Sequence, residues 1–212
     1  MTNDGLRITK KVFDPKVALE LLSDIDSDIK TIIKKYGYPP DRSRPANFGT
    51  LAHIIVGQQI STSAAMSIWK RLVDIDVEDA NEISKLKPED MMVTGLSRRK
   101  SEYIIGIANQ IMSGSLNLDS LSDLQGEEVK ERLISIRGIG AWTADNYRLF
   151  ALGDMDAWPA NDVALQGGMK IIKSLDDRPN RDEMESIGEN WRPYRGAAAL
   201  LLWHVYGVVV KK

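Results

Sequence analysis

Leu133-Ile134-Ser135-Ile136-Arg137-Gly138-Ile139-Gly140-Ala141-Trp142-Thr143-Ala144 is the stretch that decides the fold of this chain. Two helices meet there at a very short turn containing Gly138 and Gly140, with Ile139 between them. Glycine permits positive φ and lets another backbone come close. The second helix starts just after Gly140, so the free N–H groups of its first turn point outward. Such amides form an anion site, and a phosphodiester suits it. The residues alone fit two readings equally: a plain corner tightened by glycine, and a phosphate clamp.

Outward from this turn the periodicity is helical nearly everywhere. Asp14-Pro15 reads as an N-cap with proline at the first helical position. Val17, Leu21, Leu22, Ile25, Ile29, Ile32, Ile33 and Tyr36 then recur at three- and four-residue spacing, as one helix or as two joined near Asp24 to Asp28. The proline-rich segment Gly37 to Pro45 reads as a loop and a subdomain boundary. Asn47 caps the next expected helix, which buries Phe48, Leu51, Ile54 and Ile55. Further helices are expected over Ser61–Val73, from Ser97 with Ile104, Ile107, Ala108, Ile111 and Met112 inward, and over Glu127–Ile136, Ala141–Leu152, Val163–Lys173, Arg181–Glu189 and Arg195 to about Val208. The expected fold class is all-α.

Composition narrows the chemistry. The 212 residues are 43% hydrophobic and 27% charged, an ordinary globular balance that excludes a fibre, a disordered tail or a membrane bundle. Without cysteine there is no disulfide, thiolate nucleophile or cysteine-ligated zinc or iron–sulfur cluster. His53 and His204, the two histidines, argue against a multi-histidine metal site and read as satisfied core residues. The net charge of −2 neither advertises nor forbids a nucleic-acid partner, since a local basic patch is enough. Met1 to Lys11 lacks a secretory apolar core, and Gly196–Val210 is short for a bilayer span, so an intracellular, cytoplasmic protein without a membrane partner is expected.

A second segment, Asp156-Ala157-Trp158-Pro159-Ala160-Asn161-Asp162-Val163-Ala164-Leu165, delivers an aspartate to a helix start through a proline-containing loop. One reading makes Asp162 an N-cap, worth about 1 kcal/mol. The other faces it into a cleft opened by the glycine turn; the two roles are compatible.

Together the two segments resemble the helix–hairpin–helix DNA glycosylase superfamily, through Leu-x-x-Ile-x-Gly-Ile-Gly-x-Trp-Thr-Ala and Asp-x-x-Pro-x-x-Asp. Val56-Gly57-Gln58-Gln59-Ile60-Ser61, Gly95-Leu96-Ser97-x-x-Lys100 and Trp191-Arg192-Pro193-Tyr194-Arg195 extend the likeness to the alkylpurine branch, 3-methyladenine DNA glycosylase II, over about residues 45 to 206. The resemblance implies that Asp162 is catalytic. It implies that Trp142 and Trp203 stack on an extruded base, with Asn146 standing where some relatives carry an aromatic. It places Gln58, Gln59, Arg137, Gly138, Ile139, Gly140 and Thr143 against DNA, with Gln59 at the tip that enters the duplex. The carbonyls of Ile134, Ile136 and Ile139 correspond to those holding a monovalent cation, sodium or potassium, in the family; no cofactor is implied for the chemistry. Arg98, Arg99 and Lys100 are further phosphate contacts or a solvated basic face.

Trp142 occupies the position at which glycosylase-lyases carry a nucleophilic lysine. An indole cannot form a Schiff base, so the resemblance implies a monofunctional hydrolase excising alkylated purines of the 3-methyladenine and 7-methylguanine type from double-stranded DNA, in base excision repair. The expected architecture is two helical subdomains with a cleft between them. Residues 1–46 pack with the C-terminal part, residues 47–152 form a bundle with the hairpin at 133–146, and residues 153–212 carry the aspartate loop and last helices. A monomer is expected. The alternatives are a glycosylase for deaminated or oxidised purines, and a helix–hairpin–helix DNA-binding protein without catalysis.

Overall fold

The computed structural model describes residues 14–210; Met1–Lys11, read above for the lack of a secretory core, lies outside them. The elements are α1 (Pro15–Ile25), α2 (Ser27–Tyr36), α3 (Phe48–Gly57), α4 (Thr62–Val73), α5 (Ala80–Ser84), α6 (Pro88–Met92), α7 (Arg98–Met112), a 3-10 turn (Asp119–Asp123), α8 (Gly126–Ile134), α9 (Ala141–Phe150), α10 (Val163–Ile172), α11 (Arg181–Glu189) and α12 (Arg195–Val210). The described residues form an all-α fold with no strand.

Local chemistry sets the boundaries. The Asp14 carboxylate accepts the Lys16 N–H at the start of α1, where Pro15 gives up no hydrogen bond. Asp26 leaves the helical region at φ −134°, ending α1, and its side chain caps α2 through the N–H groups of Asp28 and Ile29. One residue therefore makes two helices of the continuous apolar pattern. Asp26 also accepts Lys173 Nζ at 2.7 Å and Trp191 Nε1 at 2.8 Å, tying α2 to the end of α10 and the segment after α11. Burial opposes the Asp26 charge, but the Lys173 and Trp191 hydrogen bonds and the Lys173 charge win and hold the carboxyl below its usual range.

Two apolar cores result. The first joins Ala18, Leu19, Leu22, Ile29 and Ile32 to Leu165 and Met169 of α10, Met184, Trp191 and the α12 run Ala197–Val205. The second gathers α3 through α9, from Phe48, Leu51 and Ile55 to Ile104, Leu133, Ile139 and Tyr147. Residues 37–47 carry the chain from the first to the second, and α9 brings it back: Ala144 and Tyr147 are in the second core, Leu149 in the first. α12 is apolar on every side because it is buried on every side over most of its length. It lies so close to α10 that a Cβ on Gly168 would meet the Leu202 carbonyl oxygen at 2.3 Å. Among the described residues no helix is long and apolar enough to cross a membrane.

Met112, expected inward, is 51% exposed. The inward set of α7 is Ser101, Ile104, Ile107 and Ala108, and the helix outruns the core at its last turn.

Candidate active site

The hairpin is built by α8 and α9. After Ile134 the chain turns through Ile136 N–H on the Leu133 carbonyl and Ile139 N–H on the Ile136 carbonyl, while the Ile136 and Ile139 side chains bury themselves in the second core. Gly138 sits at φ +97°, and a Cβ there would lie 2.3 Å from the Tyr103 ring, so both conformation and space demand glycine. Gly140 differs: nothing lies within 4 Å of where its Cβ would project. No side chain caps α9 at Gly140, which leaves its first-turn amides available to an anion. Arg137 stands exposed beside this turn, its guanidinium 5.9 Å from the Tyr103 ring and 3.6 Å from Glu102.

Asp162 is the meeting point of the two cores. As N-cap of α10, its Oδ1 accepts the Leu165 N–H at 2.8 Å, so the capping reading holds. The same oxygen accepts Trp203 Nε1 of α12 at 2.9 Å, and Oδ2 accepts Trp142 Nε1 of α9 at 2.8 Å. Three N–H groups from three helices thus converge on one carboxylate and leave it no freedom of orientation. Both indoles have a task the sequence reading did not give them, fixing the carboxylate. Trp203 also stacks on Phe150, with ring centroids 5.5 Å apart. Asn146 is buried, and its Nδ2 donates to the Trp142 carbonyl at 2.7 Å.

The loop presenting Asp162 is anchored at its other end. Asp156 receives Arg195 Nε at 2.9 Å and Nη2 at 2.7 Å, with Arg192 Nη1 at 2.6 Å. Gln166 holds the middle through the Ala160 carbonyl at 3.0 Å. Sequence reading had noticed both motifs without seeing that Asp156 binds the arginines. It also missed Arg42, whose charge reaches Asp162 from the crossover segment; partial desolvation lowers the guanidinium pKa, and the carboxylate opposes that shift.

The remaining expected contacts divide. Gln59 is exposed at φ +57°, while Gln58 turns its amide inward, donating to the Gly138 carbonyl at 3.1 Å and Thr143 Oγ1 at 2.9 Å. Thr143 is itself buried. Lys100 is withdrawn from the basic face expected of it, its Nζ held by backbone carbonyls at 2.7 and 2.8 Å. His53 is half-buried, edge-on to Trp69 and 3.4 Å from Arg44 Nη2, and His204 Nε2 lies 3.0 Å from the Tyr36 carbonyl. Asp162 lines neither of two shallow hollows elsewhere, one beside Phe48 and Glu78, the other beside Leu175 and Arg178.

Residues 52–193 match the family described as HhH-GPD superfamily base excision DNA repair protein. The chain is 33% identical over 165 residues to a putative DNA-3-methyladenine glycosylase, YfjP, of Bacillus subtilis, covering 74% of this chain and 58% of that protein. It is 31% identical over 190 residues to DNA-3-methyladenine glycosylase 1 of Schizosaccharomyces pombe, covering 86% and 83%. It therefore spans little more than half of the bacterial relative and most of the yeast one. The solved structure of the fission-yeast 3-methyladenine DNA glycosylase Mag1, in complex with abasic DNA, superposes with a TM-score of 0.82 at 31% identity, over 88% of this chain and 95% of that one. With the hairpin, the tethered aspartate loop and a family match over most of its length, the chain belongs to the HhH-GPD superfamily of base excision DNA repair proteins.

Proposed function

We propose that this protein is a monofunctional DNA glycosylase that hydrolyses the N-glycosidic bond of alkylated purines in double-stranded DNA, acting inside the cell in base excision repair. The observation that carries the reading is the Asp162 carboxylate, held by the Leu165 amide and the indoles of Trp203 and Trp142, the last of which stands in the first turn of the uncapped helix that follows the hairpin. As the base leaves, positive charge grows on the deoxyribose, and a fixed carboxylate stabilises it without reorganising at the moment of reaction. An alkylated purine is already cationic and departs without a strong general acid, so the second carboxyl of ordinary glycoside hydrolysis is not required. Trp142, in place of a lysine, offers no amine for a Schiff base. The damaged base has to leave the stack to reach this carboxylate, and the hairpin amides serve to hold the backbone while it does.

The experiment is release of 3-methyladenine and 7-methylguanine from methylated duplex DNA, with wild type beside Asp162→Asn. Release by wild type, reduced about 100- to 1,000-fold in the variant with its melting temperature preserved, is the expected result. Equal release by both removes Asp162 from the mechanism. Release of deaminated or oxidised purines instead changes the substrate, and DNA binding without any release leaves a non-catalytic module.

A monovalent cation at the hairpin belongs to the same proposal. The Ile134 and Ile139 carbonyls accept no backbone N–H, and Ile136 accepts one from Ile139, so neutral oxygens are available on one turn. The Ile134, Ile136 and Ile139 carbonyls would hold sodium or potassium, whose positive charge would add to the attraction of the hairpin for a DNA phosphate. Replacing both ions by tetramethylammonium at constant ionic strength should then weaken DNA binding, and unchanged affinity would dismiss the ion.

A further inference from the structure

The loop between α3 and α4 is held more firmly than a four-residue connection requires. α3 ends at Gly57, and the following amide, Gln58 N–H, returns to the Ile55 carbonyl at 3.2 Å. The carbonyls of Val56 and Gln58 are both taken by Lys100 Nζ, at 2.8 and 2.7 Å, from the first turn of α7. The Gln58 side chain spends both N–H groups on the hairpin side, one on the Gly138 carbonyl and one on Thr143 Oγ1. At the far end Ser61 caps α4 through the Ala64 amide. Only Gln59 and Ile60 are left outward, both exposed, and Gln59 is in the left-handed region at φ +57°, a conformation a non-glycine residue adopts only when its surroundings impose it.

Lys100 is the unexpected partner here. No carboxylate lies within ion-pair distance among the described residues, so a half-buried ammonium is balanced by two carbonyl dipoles alone. Burial lowers its pKa accordingly. A lysine meant for a phosphate would gain more in solvent beside Arg98 and Arg99. Placed as it is, it fixes the tilt of the loop, while Gln58 fixes its distance from the hairpin.

We propose that Lys100 is a positioning residue: by clamping the Val56 and Gln58 carbonyls it sets the angle at which Gln59 and Ile60 enter DNA gripped by the hairpin, and so governs extrusion of the damaged base rather than DNA affinity. The inference rests on the glycosylase reading for its substrate, but its test does not depend on base release. 2-Aminopurine placed opposite an abasic analogue in a duplex reports entry of the tip through its fluorescence. Lys100→Met should bind this duplex with unchanged salt dependence yet lose most of the fluorescence response of wild type. Its excision from a fully paired lesion should fall about 10- to 100-fold, the scale of a small misplacement far from the chemistry, while excision of the same lesion from an unpaired bulge stays near wild type. Lys100→Arg, which can still donate to two carbonyls, should restore much of both readouts, and Lys100→Gln, too short to hold both carbonyls, stands in for the loss variant should Lys100→Met fail to fold.

A salt slope reduced by about one in Lys100→Met would make the lysine a phosphate contact and overturn the proposal. Equal losses on paired and bulged substrates would show a general structural role and do the same, as would a fluorescence response matching wild type. Loss of that response in a background where wild type releases no base would uphold Lys100 and reject the glycosylase reading instead.

Discussion

At the scale of single residues, the carboxylate of Asp162 owes its fixed direction to donors from two other helices. Trp203→Phe keeps a ring on Phe150 and removes one donor from Oδ1. Losing it frees the carboxylate to turn, so single-turnover excision should slow about 10- to 100-fold, the scale of a small misplacement at the reacting centre. Melting should fall as well, since a hydrogen bond to a charged group contributes about 1.5–3 kcal/mol to stability. An unchanged rate would mean that the indole serves only to pack. The residues differ in how far the sequence revealed them. Asp162 was legible because its proline-containing loop is a local pattern, Asp-x-x-Pro-x-x-Asp, and its catalytic role came through the resemblance which that pattern carries. Its two indole partners lie 20 and 41 residues away, and the direction of a side chain's N–H edge leaves no trace in spacing. Lys100 was misread for the same reason: a basic run at a helix start looks solvated until the carbonyls 42 and 44 residues upstream are seen beneath it.

Among the elements, the helices longer than two turns were legible from apolar spacing, because each buries one stripe in a core. α5, α6 and the 3-10 turn were not, since five residues do not fill a periodic pattern. The division of α1 from α2 stayed open in the sequence; it is settled by Asp26, which has long-range partners as well as a cap to make. The hairpin was the most legible element, yet its two glycines work differently. Gly138 is required by φ and by Tyr103, whereas Gly140 leaves open space in front of an uncapped helix. Only the second arrangement anticipates a ligand.

For the whole molecule, the weak point towards acid is His53 of α3, beside Arg44 of the crossover between the two cores. Burial, and secondarily the Arg44 charge, lower the pKa of His53 from 6.5 to about 4. The unfolded chain therefore takes up a proton that the folded one refuses, so stability is lost as pH falls from about 6.5 towards 4, by at most about 3 kcal/mol. Asp26 has the opposite chemistry and a lower window: its stabilisation is present above its ordinary value of 3.8 and disappears as pH drops through its depressed one. Melting temperatures measured from pH 7 to 4.5 should fall more steeply for wild type than for His53→Gln, and parallel curves would contradict the assignment. The two-core plan itself was only partly visible, because the chain changes cores inside α9, where no loop, proline or glycine marks the change.

That continuity has a mechanical consequence. α9 begins at the turn that would grip a phosphate, carries Trp142 in its first turn, and ends with Leu149 embedded in the opposite core. Ten residues at about 1.5 Å each make a rigid strut of about 15 Å. The site to be cut is then located by a ruler rather than by a hinge, and seizing the strand and aiming the carboxylate become a single act of alignment.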